Sequence, residues 1–169
     1  VFEVVAHNVP PGLGSHITWD SRLDGRLAQA IVSMQAVKGV EVGLAGLQAA
    51  SYGSKVQDTI HYNREDQRFW RGSNKAGGLE GGITNGMPLI ARITLKPIST
   101  QRKPLPSVDI DSGETVEGRY IRSDVAVLPA AAVIAESLAA LVLADAVLEK
   151  FGADRFGDIQ VAIASYLAR

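Results

Sequence analysis

The sequence predicts an α+β fold in which an antiparallel sheet packs on a helical layer. Three observations carry this expectation. Leu89, Ala91, Ile93 and Leu95 alternate with Ile90, Arg92 and Thr94, the period-two pattern of a half-buried strand. Leu23, Leu27, Ile31 and Met34 recur at helical spacing and define one apolar face. Ala130 to Phe151 is apolar nearly all round, which predicts a helix inside a core. A chain of 169 residues, 46% hydrophobic and 21% charged, suits a single domain over 1–169 and argues against disorder.

In chain order, Val1 to His7 reads as a Val-rich strand, and Pro10, Pro11, Gly12 and Gly14 as a rigid loop. The first helix follows, with Ser21 as its expected N-cap and Asp24 three residues on. Val37 to Val42 reads as a strand with Gly39 where another backbone approaches. Gly53 to Ala76 is polar and irregular, a loop or a partly paired hairpin. Glycines at 77, 78, 81, 82 and 86 precede the Leu89–Leu95 strand. Val108 to Ile110 and Thr115 to Ile121 read as short strands around Asp111-Ser112-Gly113. Pro129 opens the long helix and Gly152 ends it. A last helix near Asp158 to Leu167 puts Ile159, Ala162, Ile163 and Tyr166 on one face.

Composition excludes several functions. There are no cysteines, so disulfides, thiolate zinc sites, iron–sulfur clusters and cysteine nucleophiles are absent, as suits a reducing cytoplasm. A net charge of −1 argues against bulk attraction to nucleic acid or anionic membrane. The apolar run from Val125 to Leu148 is broken by Glu136 and Asp145, and reads as a soluble helix rather than a span. No secretory signal is visible. The chain begins with Val1 and opens directly on a strand, which suggests a missing upstream segment.

Taken alone, the motifs leave alternatives open. The 77–86 glycines can cradle phosphate, but the pattern favours a turn or bulge, since neither GxxxxGK[ST] nor GxGxxG before a helix occurs. Lys96 to Thr100 is a solvated loop or a phosphate or flavin binder. Arg122 and Asp124, two apart, are an ion pair or an anion binder beside a proton acceptor. His7, His16 and His61 have no metal-ligand spacing. Glu136 is expected as a hydrogen-bonded buried acid, and Phe69-Trp70 between two arginines as a stacking patch.

Five segments together resemble chorismate synthase. They are PPGLGSHITWDSRLDGRLAQAI, SMQAVKGVEVG, SNKAGGLEGGITNGMPL, KPIST and RSDVAVLPAAAVIAESLAALVLADAVLEKFG, in the family's order. The resemblance implies the C-terminal portion of a bacterial-type enzyme, one half of a β-α-β sandwich that is usually a homotetramer. The implied reaction is a 1,4-anti elimination of phosphate from 5-enolpyruvylshikimate 3-phosphate to give chorismate, requiring reduced FMN. The implied FMN contacts are Gln35, Ala36, Gly81, Lys96, Pro97, Ile98, Ser99, Thr100 and Arg122, and Asp124 is implied as the proton-relay acid. The family's active-site histidines belong to its N-terminal half, so this chain alone is expected to be inactive. The class-different alternative is a non-catalytic flavin- or partner-binding module on the same half-fold. Gly81 and Lys96 flank one strand, so they can share a flavin only if loops fold back or subunits share the site.

Overall fold

The computed structural model describes residues 1–65, 67–122 and 125–168. The chain runs β1 (Phe2–Ala6), α1 (Leu23–Val32), β2 (Val37–Val42), α2 (Ala45–Ala49), α3 (Gly53–Val56), β3 (Ile60–Asn63) and β4 (Arg68–Arg71). It continues through β5 (Leu79–Glu80), β6 (Ile83–Thr84), β7 (Leu89–Leu95), β8 (Pro106–Val108), β9 (Thr115–Glu117), α4 (Leu128–Phe151) and α5 (Phe156–Leu167).

Alternation along β7 places it at the centre of the sheet. It pairs antiparallel with β1 on one side and β2 on the other, with Ala91 opposite both Val4 and Val42. Leu89, Ala91 and Ile93 are buried while Arg92 stays exposed between Glu3 and Glu41 on the flanking strands. One face of the sheet thus meets the helices, as the α+β expectation requires. Leu23, Leu27 and Ile31 of α1 are fully buried, each contributing about 1.5–3 kcal/mol of apolar burial.

Long-helix packing differs from the expectation. α4 buries a stripe of Ala131, Ala135, Ala139 and Ala146, whereas Val133, Ile134, Leu141 and Leu148 are exposed. Composition reports how apolar a helix is, not how much of its girth a neighbour covers. Glu136 is exposed too, so it is not a buried acid. By length and composition α4 could cross a membrane. Here its alanines lie on α1 and the sheet, and Arg26 of α1 pairs with Asp145 and Glu149 on it. α5 packs Ile159, Ala162, Ile163 and Tyr166 inward, and Tyr166 meets Phe151 edge-on at 5.5 Å.

Two start signals resolve differently. Pro129 lies in the first turn of α4 and Gly152 ends it, both as expected. Ser21 does not cap α1; Arg22 is the N-cap residue and makes no side-chain cap bond. The Ser21 hydroxyl instead donates to the Thr18 carbonyl, and the Leu23 N–H reaches the Gly82 carbonyl at 3.0 Å. A distant backbone acceptor has replaced the local cap.

Three short hairpins complete the chain. β3 and β4 pair, with His61 stacked on Trp70 at 4.4 Å. β5 and β6 pair around Gly81 and Gly82, whose φ values of +63° and +87° fit a type I′ turn. β8 and β9 pair, and β9 ends at Glu117 rather than running to Ile121. Thr84 fastens the Pro-Gly loop over β6: its hydroxyl accepts the Leu13 N–H at 2.8 Å and donates to the Pro10 carbonyl at 2.6 Å.

Candidate functional site

The sheet and α1 set the positions of the expected site residues. α1 ends at Val32, and the chain turns through Met34, Gln35 and Ala36 before entering β2. Ala36 takes φ +69°, a left-handed conformation that costs a residue with a Cβ about 1–2 kcal/mol. Its carbonyl accepts the Lys96 N–H at 2.8 Å. That bond joins the end of β7 to the start of β2, so the Gln35–Ala36 and Lys96–Thr100 segments meet although 60 residues separate Ala36 from Lys96 in sequence.

Beside this junction lies a cleft of about 510 Å³ whose walls include Met34, Gln35, Ala36, Leu95, Ala131 and Leu138. Its lining is mainly aliphatic, with the Gln35 amide as a polar group. Such a cleft suits a planar apolar ring with hydrogen-bonding edges. Ser99 and Thr100 line a second, smaller cleft of about 260 Å³ at the root of the β8–β9 hairpin. Pro97 is exposed and Ile98 half-buried between the two.

Gly81 is elsewhere. The bond from Leu23 to Gly82 ties the β5–β6 turn to the start of α1, whereas Gln35 and Ala36 follow its end. Ten residues of α1 separate these ends by about 15 Å. A Cβ built on Gly81 would meet nothing within 4 Å, so this turn opens to solvent. Gly82 is confined, because a Cβ there would lie 2.7 Å from the Ser15 carbonyl.

The segment leading into this turn is held by polar side chains. Asn74 donates to the Pro88 carbonyl at 2.8 Å and accepts the Gly78 N–H at 2.9 Å. Asp58 accepts the Lys75 and Ala76 N–H groups at 2.8 and 2.9 Å and the Ser73 hydroxyl. Burial acts to raise its pKa, but the Ser73, Ala76 and Lys75 hydrogen bonds and the Lys75 charge hold it below the usual carboxylate value.

Arg122 is exposed and lies past the end of β9, not on that strand. Asp124 lies outside the described residues. Sequence reasoning missed Leu95 and Leu138 as cleft walls and Lys103 and Arg119 as lining of the second cleft. Residue type alone does not separate an apolar core position from a cleft wall, and a basic side chain in a proline-rich loop carries no periodicity. His61, the stacking partner of Trp70, also accepts or donates to the Thr59 hydroxyl at 2.9 Å and belongs to neither cleft.

A family model described as chorismate synthase matches residues 1–148. The chain belongs to the chorismate synthase family. The chorismate synthase of Solibacter usitatus is 64% identical over 167 residues, covering 99% of this chain and 43% of that protein. That of Aquifex aeolicus is 51% identical, covering 99% of this chain and 42% of its own length. A chorismate synthase crystal structure superposes with a TM-score of 0.79 at 43% identity, over 98% of this chain and 42% of the other. The chain therefore spans less than half the length of the chorismate synthases it matches. The α+β architecture is the one found in that solved chorismate synthase.

Proposed function

We propose that this chain supplies the C-terminal, flavin-holding part of a cytoplasmic homotetrameric chorismate synthase. The whole enzyme would eliminate phosphate from 5-enolpyruvylshikimate 3-phosphate to give chorismate, with neither nucleic acid nor membrane as a partner. The supporting observation is the Ala36–Lys96 hydrogen bond, which brings two separately expected FMN segments to one aliphatic cleft.

The residues present fit reduced FMN. Met34, Leu95 and Leu138 offer apolar walls for a ring, and Gln35 offers an amide for its polar edge. Lys96 and the hydroxyls of Ser99 and Thr100 are donors for anionic groups. Bound there, reduced FMN supplies electron density that eases departure of phosphate from an allylic carbon. The chain's own residues do the rest. The aliphatic walls exclude water and strengthen every charge interaction inside. Arg122 balances the negative charge of the flavin or the substrate. A carboxylate oxygen of Asp124 takes up the ring proton as the C–H and C–O bonds break, and later passes it to solvent. Gly81, at the other end of α1, completes the site from a neighbouring copy.

The test is made in a protein of the relatives' full length that carries this chain. Anaerobic titration with reduced FMN should show binding, and Gln35→Ala should weaken it at least about tenfold, some 1.4 kcal/mol. The 169-residue chain alone should give no chorismate. Full affinity for FMN in the Gln35→Ala variant, or turnover by the isolated chain, would overturn this assignment.

A further inference from the structure

The cleft at the root of the β8–β9 hairpin has its own chemistry. It is lined by Ser99, Thr100, Lys103, Ser107 and Arg119, among others. The Gly118 N–H donates to the Leu105 carbonyl at 2.9 Å and closes the root of the hairpin. Pro106 stands opposite Glu117 in the register, so Lys103 leads into one strand and Arg119 leaves the other. The two cations therefore flank one hairpin root. Pro104 and Pro106 fix φ in the segment beside Lys103 and limit its wandering.

Neither cation is neutralised. Among the described residues, ion pairs are made by Arg22, Arg26, Arg71 and Arg92, and none by Lys103 or Arg119. The hairpin carries Asp109, Asp111, Glu114 and Glu117, yet none of these pairs with either cation. Asp109 is taken up by the Asp111 and Ser112 N–H groups and the Ser112 hydroxyl at the opposite tip.

We propose that Lys103 and Arg119, with the Ser99 and Thr100 hydroxyls, bind a phosphate monoester in this cleft. Two cations match its two negative charges. A guanidinium offers paired N–H donors to phosphate oxygens, an ammonium adds a point charge, and hydroxyls satisfy the remaining lone pairs. The flavin phosphate is the first occupant to consider, and that choice rests on the flavin assignment of the neighbouring cleft. Lys96, at the edge of that cleft, is three residues from Ser99, a span of at most about 11 Å. The substrate's 3-phosphate is the other source of the same chemistry.

The experiment uses the double variant Lys103→Gln and Arg119→Gln in a protein of the relatives' full length. Both side chains are exposed, so folding is retained and is checked by circular dichroism. Calorimetric titrations compare FMN, riboflavin, 5-enolpyruvylshikimate 3-phosphate and inorganic phosphate. FMN affinity should fall at least about tenfold while riboflavin, which has the same ring without phosphate, binds unchanged. Loss of substrate affinity with FMN unaffected upholds the site and assigns it to the substrate. Equal losses for FMN and riboflavin, or no loss for any phosphate compound, overturn the proposal. Should the parent protein bind neither flavin, the flavin assignment fails on its own. Inorganic phosphate then decides the cleft: binding lost in the variant upholds it, and unchanged binding overturns it.

Discussion

Replacing Thr84 with Val removes one hydroxyl and leaves the side-chain shape nearly unchanged. Thr84 is 4% exposed, and its Oγ1 both accepts from Leu13 and donates to Pro10. Valine can do neither. Leu13 is 0% exposed, so water cannot replace the lost acceptor. An orphaned buried N–H costs about 1–3 kcal/mol, and the second lost bond adds about 0.5–1.5 kcal/mol. The expected destabilisation is thus about 2–4 kcal/mol. Thr84→Ser keeps both bonds and loses one methyl, worth about 1 kcal/mol. Urea unfolding followed by circular dichroism separates the two variants. With a slope of roughly 2 kcal/mol per molar urea, the valine midpoint falls by about 1–2 M and the serine midpoint by about 0.5 M. A valine variant within about 0.3 M of the parent, or one more stable than the serine variant, would refute the satisfied-hydroxyl reasoning. It would mean that the Pro-Gly loop is held over β6 by its backbone bonds alone, which are the Gly12 and Thr84 N–H groups donating to Thr84 and Leu13.

Three further outcomes are expected. Asp58→Asn should cost about 1–3 kcal/mol at pH 6 through its lost hydrogen bonds. Because the folded pKa of Asp58 is lowered, this contribution is complete above the unfolded value of about 3.9 and fades as pH falls through the folded one; a gap between parent and variant that is constant down to pH 2 contradicts it. Ala36→Gly should be neutral or stabilising by up to about 1 kcal/mol, and Ala36→Val should destabilise by about 1–3 kcal/mol, since φ is +69° there; thermal melts that reverse this order refute the strain. In a protein of the relatives' full length supplied with reduced FMN, Asp124→Asn should cut turnover at least about tenfold, about 1.4 kcal/mol of barrier, with FMN affinity little changed. Intact turnover with FMN binding lost would leave Asp124 a structural residue only.

What was legible in the sequence was local. β7 could be read because burial alternates with its side chains, and α1 because Leu23, Leu27 and Ile31 share one face. The cap of α1 could not, because its Leu23 N–H is satisfied by Gly82, far along the chain. The exposed side of α4 was hidden for a related reason: nothing in an all-round apolar helix marks which stripe finds a neighbour. The candidate site divides in the same way. KPIST and SMQAVKG were visible as segments only through family resemblance. The bond that joins them and the left-handed turn at Ala36 arise from the pairing of β2 with β7, which no single window of sequence contains.

The same rigidity bears on how the proposed flavin site is completed. Lys96 is pinned to Ala36 by a backbone bond, and Gly82 is pinned to Leu23 by another. Between these two anchor points runs α1, a ten-residue helix packed on the sheet through fully buried leucine and isoleucine side chains. A helix of this kind does not shorten, and β7 alongside spans about 23 Å over its seven residues. Folding the Gly81 turn back toward Lys96 would require breaking the Leu23–Gly82 bond and the Thr84 anchors, with several kcal/mol lost. A flavin touching both Gly81 and Lys96 therefore needs two copies of this chain. Dilution below the tetramer dissociation constant should then release FMN together with subunit dissociation, and retention of FMN by a monomer would show that Gly81 is not a contact.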